Sequence, residues 1–103
     1  MIQIIRVKRK NMITFEELYS IIKNRKKLLP KDSYTVSLLQ EGEDKILQKI
    51  GEEAVEVIIA GKNKNKQRII EEIADLYYMV LILLVLNNIP ISEVFRELEK
   101  RRK

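Results

Sequence analysis

Gly51-Glu52-Glu53-Ala54-Val55-Glu56-Val57-Ile58-Ile59-Ala60 decides the fold of this 103-residue chain, together with a second stretch of the same kind, Ile69-Ile70-Glu71-Glu72-Ile73-Ala74-Asp75-Leu76-Tyr77-Tyr78. In each, two acids sit at i, i+3 spacing inside a sequence otherwise built for burial: Glu53 with Glu56, and Glu72 with Asp75. That spacing puts both acids on one helix face, one turn apart. Glu56 is the only polar side chain between Ala54 and Ala60, and Asp75 the only charge between Ile73 and Leu86. A carboxylate in an apolar environment must be paired or bind a metal. The two stretches therefore predict two amphipathic helices that share a cluster of negative charge.

Working outward, the pattern predicts an all-α bundle. Thr14-Phe15-Glu16-Glu17 is a capping box, with Ile13 and Leu18 placed for a hydrophobic staple, and predicts a first helix to about Leu28. Pro30 to Gly42, rich in hydroxyls, reads as a connector, and its pattern fits a functional loop and an ordinary ordered linker equally well. A second helix runs from about Glu43 to Ala60 and ends at Gly61. A helical wheel gathers Lys49, Glu53 and Glu56 into one stripe between apolar residues, an arrangement unlike a solvated face. A third helix, about Gln67 to Leu86, is apolar all round beyond Asp75 and needs neighbours on every side. Ser92 caps a last helix from Glu93 to roughly Arg101. Four helices are too few to enclose the third, so the bundle, of four to five helices, is expected to be completed by homodimerisation.

Composition narrows the chemistry. With 46% apolar and 34% charged residues, the chain is globular and long enough for one modest core. There is no Cys and no His, which excludes thiolate metal sites, the usual zinc ligands and every Ser-His or Cys-His nucleophile. Oxygen ligands alone select a hard cation, Mg²⁺ or Mn²⁺. The net charge of +5 is uneven: nine Lys/Arg face two Asp/Glu in residues 1–31, and eleven face thirteen in residues 32–103. The basic surplus lacks interleaved aromatics or a recognition helix, so residues 1–11 are read as a basic extension before a domain at 12–103, with no nucleic-acid partner. No apolar run reaches the roughly 20 residues a membrane span requires, and no secretory leader is evident. A cytoplasmic, membrane-free protein is expected.

Antiparallel packing of the second and third helices would bring Glu53 and Glu56 level with Glu72 and Asp75. Four such carboxylates repel unless a cation joins them, which makes all four candidate metal ligands. Glu52 and Glu71 flank the pairs and read as supporting charges, held by Lys49, Lys45 or Arg68. Tyr77 and Tyr78 read as core residues with satisfied hydroxyls.

Glu-x-x-Glu, 15 intervening residues and Glu-x-x-Asp form a pattern that resembles the all-α nucleoside triphosphate pyrophosphohydrolases of the MazG-like superfamily. Ser33-Tyr34-Thr35-Val36-Ser37-Leu38, Lys45-Ile46-Leu47-Gln48-Lys49-Ile50-Gly51-Glu52-Glu53-Ala54-Val55-Glu56, and Ala74-Asp75-Leu76 with Tyr78 are similar to the phosphoribosyl-ATP pyrophosphohydrolases of histidine biosynthesis, over about residues 12–102. The resemblance implies Mg²⁺-dependent hydrolysis of phosphoribosyl-ATP to phosphoribosyl-AMP and pyrophosphate. It implies metal ligation by Glu53, Glu56, Glu72 and Asp75, with Glu52 adjacent. It also implies triphosphate contact by Lys49, and substrate contacts by Arg25, Ser33, Tyr34 and Thr35. Such a reaction needs an oriented water and no protein nucleophile, and Glu53 or Glu56 is the candidate proton acceptor. Met79 departs from the family, where many members have His. Many members are fused to a zinc-dependent cyclohydrolase, for which this chain lacks Cys and His, so a stand-alone enzyme is expected. Three alternatives remain open at this stage. They are another MazG-like pyrophosphohydrolase of dUTP or house-cleaning type, a basic helical module that binds nucleic acid, and a purely structural dimeric bundle.

Overall fold

The computed structural model describes residues 11–103, which form five helices and, among the described residues, no strand. Of the expected extension at 1–11, only Asn11 is described. The helices are α1 (Phe15–Leu28), α2 (Tyr34–Glu41), α3 (Glu43–Lys62), α4 (Lys66–Leu86) and α5 (Ile91–Lys100).

Helix starts follow the local chemistry. Thr14 Oγ1 accepts the Glu17 N–H at 3.2 Å, as the capping box requires. Asn65 Oδ1 accepts the Arg68 N–H at 3.2 Å at the start of α4. Asn63–Asn65 is tight enough to send α4 back antiparallel along α3. At the far ends of this pair, Asn87 Nδ2 donates to Glu43 Oε1 at 2.8 Å and to the Leu83 carbonyl at 2.9 Å.

Three boundaries differ from the sequence-based expectation. The connector at 30–42 contains α2, capped by Ser33, whose Oγ accepts the Val36 N–H at 3.3 Å. Gly42, at φ +97°, makes the sharp corner between α2 and α3 that an L side chain would resist. Gly61 is not the terminator of α3: the helix continues to Lys62, and the Asn63 N–H bonds the Ile59 carbonyl at 3.0 Å. Pro90 occupies the N-cap position of α5, so Ser92 lies inside the first turn instead of capping it.

The core is built on α4. Tyr78, Met79, Leu81, Ile82, Leu84 and Val85 pack with Leu18 and Ile22 of α1, Leu38 of α2 and Ile46 of α3. Leu38 and Ile46, from opposite sides of the Gly42 corner, hold α2 and α3 to one apolar centre. α4 is not wholly enclosed: Tyr77 is 50% and Val80 38% exposed. This corrects the expectation that Tyr77 is a core residue. On α3 the expected burial is also incomplete, with Val55, Ile58 and Ile59 between 47% and 62% exposed. Among the described residues, no helix is long and apolar enough to cross a membrane.

Candidate metal centre

The antiparallel α3–α4 pair brings carboxylates together as the spacing predicts, but three of them, not four. One oxygen each from Glu53, Glu72 and Asp75 lie within 4.8 Å of one another. Glu72 is buried at 6% exposure, and Glu53 and Asp75 are half-buried. Glu56 lies one turn further along α3, exposed, beside a cavity of about 80 Å³ that it lines with Asn63, Asn65 and Arg68.

The cluster carries its own record of crowding. Burial first, then the hydrogen bond with Glu72 and the charges of Asp75 and Glu72, push the Glu53 carboxyl up to about 7. Burial and the neighbouring carboxylates therefore favour the neutral form of Glu53. Arg68 supplies a second counter-charge. Its Nη2 pairs with Glu72 Oε1 while Nη1 reaches Glu71 Oε1 at 3.1 Å. Arg68, one turn before Glu72 on α4, is thus a cation at the edge of the cluster, where the sequence reading assigned it only to the flanking acids.

These residues fit a hard cation. Three anionic oxygens converge, with no nitrogen or sulfur donor to favour a softer ion. Opposite ligands of an octahedral Mg²⁺ stand about 4.2 Å apart, so the 4.8 Å spread closes with small side-chain shifts. The guanidinium of Arg68, paired with Glu72, fills part of the electrostatic role such an ion would take over.

The flanking acids are engaged by neighbours on their own helices. Glu52 receives Gln48 Nε2 at 2.8 Å and lies 3.5 Å from Lys49 Nζ; these partners, Gln48 foremost, hold its carboxyl below the usual range. Glu71 receives Gln67 Nε2 at 3.2 Å as well as Arg68.

The remaining predicted residues lie on α1, α2 (with its N-cap) and α3. Lys49 stands one turn before Glu53, and the Tyr34 phenol, then Glu52, raises its ammonium pKa. Tyr34 is exposed at the start of α2. Arg25, near the end of α1, donates from Nη1 to Tyr78 Oη at 3.4 Å. Thr35 is 1% exposed and its hydroxyl also meets Tyr78 Oη. Ser33 is committed to capping α2. Tyr34 and Lys49 are therefore open to a ligand, Arg25 partly so, while Thr35 and Ser33 shape the wall behind them.

Comparison with known proteins gives the family. A profile of the family described as phosphoribosyl-ATP pyrophosphohydrolase matches residues 15–102. The chain is 50% identical over 91 residues to a phosphoribosyl-ATP pyrophosphatase of Trichlorobacter lovleyi, covering 88% of this chain and 84% of that protein. It is 44% identical over 88 residues to one of Sulfolobus acidocaldarius, covering 85% and 93%. It is also 48% identical to the histidine biosynthesis bifunctional protein HisIE of Caldanaerobacter subterraneus, across 84% of this chain but 42% of that longer protein. The chain belongs to the phosphoribosyl-ATP pyrophosphohydrolase family.

Proposed function

We propose that this protein hydrolyses phosphoribosyl-ATP to phosphoribosyl-AMP and pyrophosphate, a step of histidine biosynthesis, in the cytoplasm and with Mg²⁺ or, in its place, Mn²⁺. The observation that carries the reading is the Glu53–Glu72–Asp75 cluster, rimmed by Lys49 and Tyr34 in a chain of this family. A hard cation bound there supplies charge neutralisation and lowers the pKa of water. Lys49 meets the negative charge of the triphosphate, and Arg25 and Tyr34 hold the nucleotide in the cleft. Glu56 stands outside the three-oxygen group and is exposed, so it is the carboxylate left to accept the proton of the attacking water. No side chain needs to become covalently attached, in keeping with the absence of Cys and His.

³¹P NMR of phosphoribosyl-ATP, dUTP and ATP, each with protein and Mg²⁺, tests the assignment. Pyrophosphate is expected from phosphoribosyl-ATP in clear preference to the other two. Orthophosphate, or no turnover, refutes the reaction, and equal turnover of dUTP refutes the substrate.

The active form is proposed to be a homodimer. Support comes from an exposed apolar strip on each side of the acids, Val55, Ile58 and Ile59 on α3 and Ile70 and Tyr77 on α4. A self-complementary second copy laid along these strips buries them and thins the water around the carboxylates. Sedimentation equilibrium is expected to give twice the 12.2 kDa chain mass, and a monomer at micromolar concentration would refute the dimer.

A further inference from the structure

Tyr78 takes no part in the chemistry above, yet its one hydroxyl joins three helices. The residue is 2% exposed, and a phenol at that depth must place its O–H and lone pairs on partners. It finds two. Arg25 Nη1, from the last turn of α1, donates to the phenol oxygen at 3.4 Å, and Thr35 Oγ1, from the first turn of α2, lies in close hydroxyl contact with it. Tyr78 itself sits three residues after Asp75, so its ring leaves α4 on the side that carries Asp75, one turn further along. Thr35 is covalently next to Tyr34, which approaches Lys49. One oxygen thus ties Arg25 and the Tyr34–Thr35 turn to the helix that carries Glu72 and Asp75. A ring that only filled the core would do as well without it.

We propose that Tyr78 is a positioning residue for the nucleotide: its hydroxyl fixes the Arg25 guanidinium and the first turn of α2 at the separation from the acids that the bound substrate spans. The proposal rests on the function stated above and names what holds its binding wall in register. Without the hydroxyl, Arg25 regains rotamer freedom and the buried Thr35 loses a partner. Both losses weaken substrate binding while leaving the carboxylates in place, so they fall on KM and not on kcat.

The test compares wild type, Tyr78→Phe, and Tyr78→Phe combined with Thr35→Val. Tyr78→Phe is expected to raise KM for phosphoribosyl-ATP about 10-fold, with kcat within about two-fold of wild type. The double variant removes both hydroxyls and leaves neither orphaned, so its Tm is expected to return toward wild type while KM stays raised. A role confined to stability predicts the opposite, KM recovering together with Tm. A wild-type KM in Tyr78→Phe, or a restored KM in the double variant, overturns the proposal. A wild-type protein that releases no pyrophosphate overturns the functional reading itself, and this proposal with it.

Discussion

Glu53→Gln is expected to slow pyrophosphate release by about 10³-fold while raising the Tm of the metal-free protein. The two effects come from the same crowding. Glu53, Glu72 and Asp75 hold oxygens within 4.8 Å, and that crowding, with burial, favours the protonated form of Glu53 beside Glu72. Glutamine has the shape of that protonated acid, and its amide can donate to Glu72 without ever ionising. The fold therefore loses a repulsive charge and keeps its hydrogen bond, whereas the centre loses an anionic ligand no neutral amide replaces. A salt-bridge lattice predicts the reverse sign for stability, because removing one member strands a buried partner. Glu52→Gln is the control: the exposed Glu52 is held by Gln48 and Lys49 on the rim, so its loss is expected to leave the Tm close to wild type. ³¹P NMR for turnover and calorimetry in chelator for Tm decide it. A Glu53→Gln protein that keeps a tenth of wild-type activity, or melts below wild type, removes Glu53 from the centre.

Much of this site is legible in the sequence because helical spacing is a local property. The i, i+3 acids and the short loop at Asn63–Asn65 suffice to place α3 against α4 with acids facing acids. Spacing says that two residues share a face; it does not say which of them lies nearer the crossing. Glu53 falls inside the cluster and Glu56 outside it for that reason. The helix at Tyr34–Glu41 was hidden because Thr35-Val36-Ser37 are weak helix formers, and what holds them helical is not local: the Ser33 cap, Leu38 in the shared core, and Thr35 against Tyr78, 43 positions away. Arg68 is spaced to pair with both Glu71 at i, i+3 and Glu72 at i, i+4, and spacing alone does not say that it reaches the buried acid as well. The apolar strips of α3 and α4 look like core in the sequence, and a single chain leaves them bare.

Raising the pH from 5 to 8 in chelator is expected to lower the Tm of the wild-type protein, to leave that of Glu53→Gln nearly flat by comparison, and to be reversed by Mg²⁺. The sign follows from Glu53. Its carboxyl titrates at about 7 in the folded chain against an ordinary value of 4.5. Between those values the unfolded chain has released the proton and the folded chain still holds it. The folded state then binds more protons, and stability must fall as pH rises. The loss begins near pH 4.5, accumulates up to about 7 and is complete above it. A divalent cation acts on the same group from the other side, because it binds the ionised carboxylates and displaces the proton. At a free concentration of one hundred times Kd it adds about 2.7 kcal/mol, which for a domain of this size is on the order of 10 °C in Tm. Its apparent affinity should weaken about ten-fold for each pH unit below 7, with close to one proton released per ion bound at pH 6. Calorimetric titration with Mg²⁺ in two buffers of different ionisation enthalpy counts that proton. If none is released, or if the Tm of the metal-free protein rises between pH 5 and 8, the proton shared by Glu53 and Glu72 is not what holds the cluster together before the ion arrives.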